Sequence, residues 1–152
     1  MLKLGLESGD QAVLDELEKG IELETVSQAL KSLKAAGIGV YAYLLFGTPA
    51  EDAISARRTL DFTASHAESI DFLNMAIFNL PLNAPDAARL ARREFYEGDL
   101  ALYQDFVHPS GWGRRQVRQF LELEFKRHPA VAPIIASEPP FFGSNHAAFF
   151  CR

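Results

Sequence analysis

Residues 37–51 read Gly-Ile-Gly-Val-Tyr-Ala-Tyr-Leu-Leu-Phe-Gly-Thr-Pro-Ala-Glu, and this stretch decides the fold. Gly37 follows a helical pattern and supplies the left-handed conformation that ends a helix without a Cβ penalty. Residues 38–46 are almost continuously apolar and partly β-branched or aromatic, as in a strand buried on both faces. Gly47 breaks the strand. Thr48 is suited to cap the next helix, Pro49 to open it, and Glu51 falls where a capping-box carboxylate belongs. Helix, buried parallel strand, tight turn and helix in so short a span make an α/β unit. Ligands of such folds gather at the carboxyl ends of the strands, which places Phe46, Gly47 and Thr48 at a candidate site.

Upstream, residues 2–6 form a short expected strand, followed by the turn Glu7-Ser8-Gly9-Asp10. Asp10 caps a short helix whose Val13, Leu14 and Leu17 face inward, and Lys19-Gly20 ends it. A second helix is expected over 23–36, with Leu23, Val26, Leu30 and Leu33 on one stripe and Glu22 as a weak cap. Downstream, a helix over 49–66 carries a small-residue face of Ala53, Ala56, Leu60 and Ala64. A third strand follows over 70–80; its Asn74 needs a partner if buried, and Asn79 stands at its carboxyl end. The order is β-α-α-β-α-β, with crossovers long enough for parallel strands. A strand beginning at residue 2 leaves two readings open. Either it is an edge or central strand at a true N terminus, or an upstream part of the domain lies outside this chain.

From Pro81 the character changes. Pro81, Asn83 and Pro85 mark a loop, residues 87–96 carry helix formers with Arg89, Arg92 and Arg93, and a further helix is expected over 99–107. His108-Pro109-Ser110-Gly111 ends it. Trp112 precedes a helix over 114–127 with Val117, Phe120, Leu121 and Phe125 on its apolar side. His128-Pro129 breaks that helix, and 130–136 forms a short apolar one. The tail over 139–150 is aromatic and irregular, a surface that has to pack on something.

The composition narrows the function. With 152 residues, 48% of them hydrophobic, the chain is long enough for one domain with a real core. A net charge of −5 argues against a general nucleic-acid surface, and Arg114, Arg115 and Arg118 read as a solvated helix face. A single cysteine, Cys151, gives no internal disulfide framework and no cysteine metal site within this chain. His66, His108, His128 and His146 are far apart, expected at the surface or in loops, and form no metal-like pair. Neither a signal-peptide core nor an apolar run of about twenty residues is present, so a cytoplasmic protein is expected. Ser8 lacks the glycine two residues earlier that a nucleophile elbow requires. Each remaining polar candidate has two readings. Glu7 binds a sugar hydroxyl or an amine, or it caps a helix. Lys19 holds a ligand carboxylate, or it complements a helix dipole. Gly47 permits close approach of a ligand, or only a turn. Glu51 reads as a capping residue.

Three stretches together resemble one family. Leu4-Gly5-Leu6-Glu7-Ser8-Gly9 with Val13-Leu14 and Lys19-Gly20 is similar to the fourth-strand segment of radical S-adenosylmethionine (radical SAM) enzymes. Leu44-Leu45-Phe46-Gly47-Thr48-Pro49-Ala50-Glu51 resembles their fifth-strand motif, and residues 70–81 resemble the sixth strand. The Glu-Ser-Gly and Lys-Gly wording is closest to members with an upstream cobalamin-binding domain, and residues 139–147 resemble the tail of such proteins. The resemblance implies an α/β fold: half of a TIM-type partial barrel, strands four to six, over residues 1–81, with parallel strands and flanking helices. A mainly helical C-terminal extension over 82–152 follows. It implies that Glu7 and Ser8 lie by the ribose and amino group of S-adenosylmethionine, and Lys19 by its carboxylate. Leu45 would press on the adenine, and main chain around Gly47 and Phe78 would border the nucleoside. Ala50 replaces the family's usual glycine, and Tyr43 stands where some members have an aspartate.

The family holds a [4Fe–4S] cluster through a Cys-x-x-x-Cys-x-x-Cys loop, absent from these residues. The cluster, and any cobalamin, is therefore expected in the parent enzyme only. The parent would cleave S-adenosylmethionine reductively to a 5′-deoxyadenosyl radical, and this chain alone would be inactive. Its expected partners are the missing N-terminal half of that enzyme or a second copy joined through exposed strand edges. Two alternatives stand beside it: a free-standing, non-catalytic interaction module derived from the half-barrel, and a small unrelated α/β enzyme using Glu7 and Lys19.

Overall fold

The computed structural model describes residues 1–92, 102–138 and 147–150. It has a mixed α/β fold built on a three-stranded parallel sheet. Strand β1 (Leu2–Glu7) leads through helices α1 (Gln11–Glu16) and α2 (Leu23–Ala35) to β2 (Val40–Phe46), and helix α3 (Ala53–Ser65) leads on to β3 (Phe72–Ile77). The sheet order is β1-β2-β3. The punctuation read from sequence accounts for these boundaries: Asp10 caps α1 by accepting from the Val13 amide, and Gly37 and Gly47 have φ of +67° and +76°. Glu22 precedes α2 without a side-chain cap.

Alternation along β2 sorts the two faces of the sheet. Val40, Ala42, Leu44 and Phe46 join the main core with Leu30 of α2 and with Ala56 and Leu60 of α3. The same core contains Trp112, Val117, Phe120, Leu121, Phe125, Val131 and Ile134. Residues before and after position 81 thus share one apolar interior. Tyr41 and Phe72 lie on the opposite face, covered by Ala147 of the C-terminal turn and by Met1. The tail does pack on the sheet where it is described. Asn74, in mid-strand, hydrogen-bonds Tyr41 and so has the partner its position requires.

Three expectations need correction. First, α3 begins at Ala53 rather than at Pro49. Asp52 is its cap, reciprocated by Ser55, because Glu51 is drawn inward by partners elsewhere in the chain. The buried row of α3 is Ser55, Thr59 and Thr63 alongside Ala56 and Leu60. Second, the segment expected as a helix over 99–107 is extended where described. Strand β4 (Leu80–Pro81) pairs antiparallel with β5 (Tyr103–Gln104), and Arg92 bridges Phe106. Tyr103, Phe106 and Val107 favour extended backbone, and a pairing partner outweighs weak helix propensity. Of the helix formers over 87–96 only those to Arg92 are described, where a 3-10 turn over Pro85–Ala88 gives way to the Arg92 bridge; positions 93–101 lie outside the described residues.

Third, the 114–127 helix is α4 (Arg114–Phe120) continued by a π-helical turn, Leu121–Phe125. A π turn brings residues five apart onto one face. Phe120 and Phe125 accordingly both point inward, ring centroids 6.1 Å apart, and both meet Phe46. Helix α5 (Ala132–Ala136) closes the described core. Among the described residues no helix is long and apolar enough to cross a membrane.

Candidate functional site

The carboxyl ends of the three parallel strands lie on one side, and the sequence candidates divide there into two groups. Glu7 and Lys19 form an ion pair at 2.9 Å, with side chains 23% and 35% exposed. Gly5 makes room for it: a Cβ at Gly5 would come 2.9 Å from Glu7 Oε1 and 3.4 Å from Lys19 Nζ. The backbone is bent to hold the pair. Glu7 has φ +63° and Glu18 φ +50°, the only non-glycine residues with positive φ among those described. The Ser8 amide folds back onto Leu6 O at 2.8 Å around Glu7. Such conformations cost energy and persist where surroundings impose them. Leu45 lies half-buried on the same sheet face as Tyr43, opposite Leu44 and Phe46.

Ser8 belongs elsewhere. Its hydroxyl is buried, lies 3.1 Å from Thr59 Oγ1 and accepts from the Asp10 amide. That hydroxyl ties the β1–α1 turn to α3 and leaves only its main chain near Glu7.

The second group surrounds the turn after β2. Gly47 donates its amide to Glu51 Oε2, and the indole Nε1–H of Trp112 donates to the same oxygen at 2.9 Å. Glu51 is 1% exposed, and burial pushes its carboxyl up to about 7. Asp52 and Asp10 push it the same way, while the two hydrogen bonds oppose the shift. Its other oxygen, Oε1, and Thr48 Oγ1 are buried without a partner among the described residues.

His108 is buried, contrary to the expectation of a surface histidine. Its Nε2 lies 2.8 Å from Thr48 O. A carbonyl only accepts, so Nε2 carries the proton and Nδ1 accepts from the Ser110 amide at 3.3 Å. Ser110 Oγ donates to Glu51 O at 3.1 Å. At the end of β3, Phe78 donates its amide to Phe46 O at 2.8 Å and packs its ring on Phe106. Arg114 donates to Asn79 Oδ1, so one guanidinium of the basic cluster reaches the strand ends, while Arg115 and Arg118 face solvent.

Glu7 and Lys19 are therefore paired at the carboxyl end of β1 and Leu45 is half-buried near the end of β2, while Gly47 is buried with its amide on Glu51 and the Phe78 amide is held by Phe46 O. Sequence reasoning missed His108, Ser110 and Trp112. The available signal was slight: donors at every second position, in a segment otherwise marked as a loop. Among the described residues no group of three His, Cys, Asp or Glu gathers to hold a metal ion.

No protein-family model, no curated protein and no solved structure matches the chain.

Proposed function

We propose that residues 1–81 are strands four to six of a radical SAM partial barrel and carry the amino-acid end of an S-adenosylmethionine site. The observation that carries the reading is the Glu7–Lys19 pair, held over Gly5 by a strained turn at the carboxyl end of β1. S-adenosylmethionine ends in a zwitterion. An ammonium and a carboxylate arriving together exchange the internal pair for two external ones: Glu7 takes the ammonium or a ribose hydroxyl, and Lys19 takes the carboxylate. The bound state keeps both charges compensated, which an isolated carboxylate or amine would not do. Leu45 offers an apolar surface for the adenine, and the main chain at Gly47 and Phe78 borders it.

The cysteine-held cluster does not fit this chain. Three thiolates are needed and one cysteine is present, so the reductive step belongs to residues outside these 152. Support for a partner comes from β1, which pairs only with β2 among the described residues and leaves its other edge open. Beside that edge lies an apolar cleft of about 340 Å³ lined by Leu4, Leu6, Val26, Ala29, Leu30 and Ala42. A preceding strand and helix from the rest of the enzyme would fill both. A free-standing module would present the same edge to another protein.

The test is binding of S-adenosylmethionine to the 152-residue chain, followed by amide NMR shifts. Shifts are expected at Gly5, Glu7, Lys19 and Gly47. Lys19→Ala should weaken binding by about tenfold or more, the value of one charge-assisted contact. Equal binding by the wild type and Lys19→Ala, or no shift at millimolar ligand, would remove the nucleoside reading.

A further inference from the structure

Residues 108–112 touch the β2 turn in a regular way. His108, Ser110 and Trp112 stand at alternate positions, and each donates to a different acceptor of that turn: Thr48 O, Glu51 O and Glu51 Oε2. The Gly47 amide adds a second donor to Glu51 Oε2. Every donor reaching the Glu51 carboxyl thus converges on one oxygen. Among the described residues the other is buried with no partner, as is the hydroxyl of Thr48 three residues earlier.

We propose that residues 108–112 form a strap that positions the Gly47–Glu51 turn, and that Glu51 serves it as a neutral carboxylic acid. In that form Oε2 is the carbonyl oxygen, with two lone pairs for two donors, and Oε1 carries the proton. A carboxylate in the same place would leave a charged oxygen buried and unsolvated, which costs far more than an unpaired hydroxyl. The charged groups around it leave that balance in place. Asp52 on the same turn and Asp10 at the start of α1 are both acidic, and Arg58 of α3 is engaged with Asp10 at 2.7 Å. His108 uses its proton on Thr48 O. Burial has already moved the Glu51 carboxyl to where this proton leaves near neutrality. On ionisation Oε1 must find water, and the turn and strap separate. Gly47 and Thr48 then lose the shape they hold at the strand end. His108, Ser110 and Trp112 are positioning residues, acting through the turn.

Trp112 is the single tryptophan, so its emission reads this contact directly. The wild-type chain is titrated from pH 5 to 9 by fluorescence, with the Gly47 amide followed by NMR over the same range. A transition in both signals near pH 7 is expected. It should vanish in Glu51→Gln, whose side chain is neutral at every pH, and persist in His108→Gln, which separates it from imidazole titration. A flat wild-type titration in either signal, or a transition surviving in Glu51→Gln, overturns the strap. Because the Gly47 signal is read in the wild type, the proposal remains exposed to refutation even if Glu51→Gln does not fold. The consequence for ligand rests on the nucleoside reading above: affinity for S-adenosylmethionine should fall roughly tenfold between pH 6 and 8 in the wild type, and not in Glu51→Gln. Absence of binding at every pH with the tryptophan transition intact removes the nucleoside reading and leaves the strap standing. Binding with no pH dependence in the wild type overturns the strap.

Discussion

The amide of Gly9 donates to Thr59 Oγ1 at 2.9 Å, and the two backbones approach so closely that a Cβ on Gly9 would lie 2.8 Å from Thr59 Cα. The same Cβ would come 2.6 Å from Phe62 Cβ. One hydroxyl of α3 thereby holds the turn that leaves β1, and with it the orientation of Ser8 and Asp10.

Gly9→Ala should destabilise the chain by about 1–3 kcal/mol or more, the usual cost of forcing an atom into a packed contact. Urea unfolding measures it. The clash is with backbone, so no rotamer change relieves it. A loss below about 0.5 kcal/mol would mean that the turn and α3 are not packed as described.

Thr59→Val keeps the shape of the side chain and removes the hydroxyl. The Gly9 amide and the Ser8 hydroxyl lose their shared partner in a buried place, at a cost of about 1–3 kcal/mol. Thr59→Ser should recover most of that loss. Equal stabilities for Val and Ser would assign Thr59 to packing alone.

The pH dependence of stability has a definite sign at Glu51. Its carboxyl sits at about 7 in the folded chain against 4.5 in the open reference, so the folded state binds more protons between those values. Stability from this group is therefore fully present below pH 4.5, and it falls as pH rises through 7. The total is on the order of 3 kcal/mol at most. Asp52, whose carboxyl is held down mainly by the Ser55 amide, contributes in the opposite sense at lower pH, so the comparison must be made against Glu51→Gln. Chemical denaturation of both chains at pH 5 and 8 should show the wild type losing stability relative to the variant. A constant difference would place Glu51 in contact with water.

Phe125→Ala should cost about 3–5 kcal/mol, as for other large side chains removed from packed interiors. Phe125 is fully buried against Phe46 and Phe120, at centroid distances of 5.3 and 6.1 Å. Thermal unfolding should show the loss as one transition in both far-ultraviolet circular dichroism and tryptophan emission, because one core serves both parts of the chain. Two separate transitions would divide the chain near residue 81.

The sheet was legible because its signals are local. An apolar run between Gly37 and Gly47 makes a buried strand wherever it is placed, and the Asp10 cap and the α2 stripe follow from spacing alone. The start of α3 was not legible. Thr48-Pro49 carries a good local capping signal, but Glu51 is held by Trp112, 61 residues away, and that contact moves the first helical residue to Ala53. The β4–β5 ribbon and the burial of His108 escaped for the same reason, since pairing partners distant in sequence leave no periodicity behind. At the candidate site, Glu7 and Lys19 were each named from the resemblance but not as a pair, and nothing local foretold that the Ser8 hydroxyl would be engaged with Thr59 and the Asp10 amide. A serine beside a strand end looks alike whether it faces a ligand or a helix.

The strap also sets an order of events during synthesis. Thr48 and Glu51 are closed by residues 60 and 61 positions further along. Such long loops are slow to close and give little reward until late contacts form. On the ribosome, Phe46 and Glu51 emerge well before Trp112, Phe120 and Phe125. The nascent sheet therefore presents an uncovered aromatic and an acid at its carboxyl end until the C-terminal helices arrive to cover them.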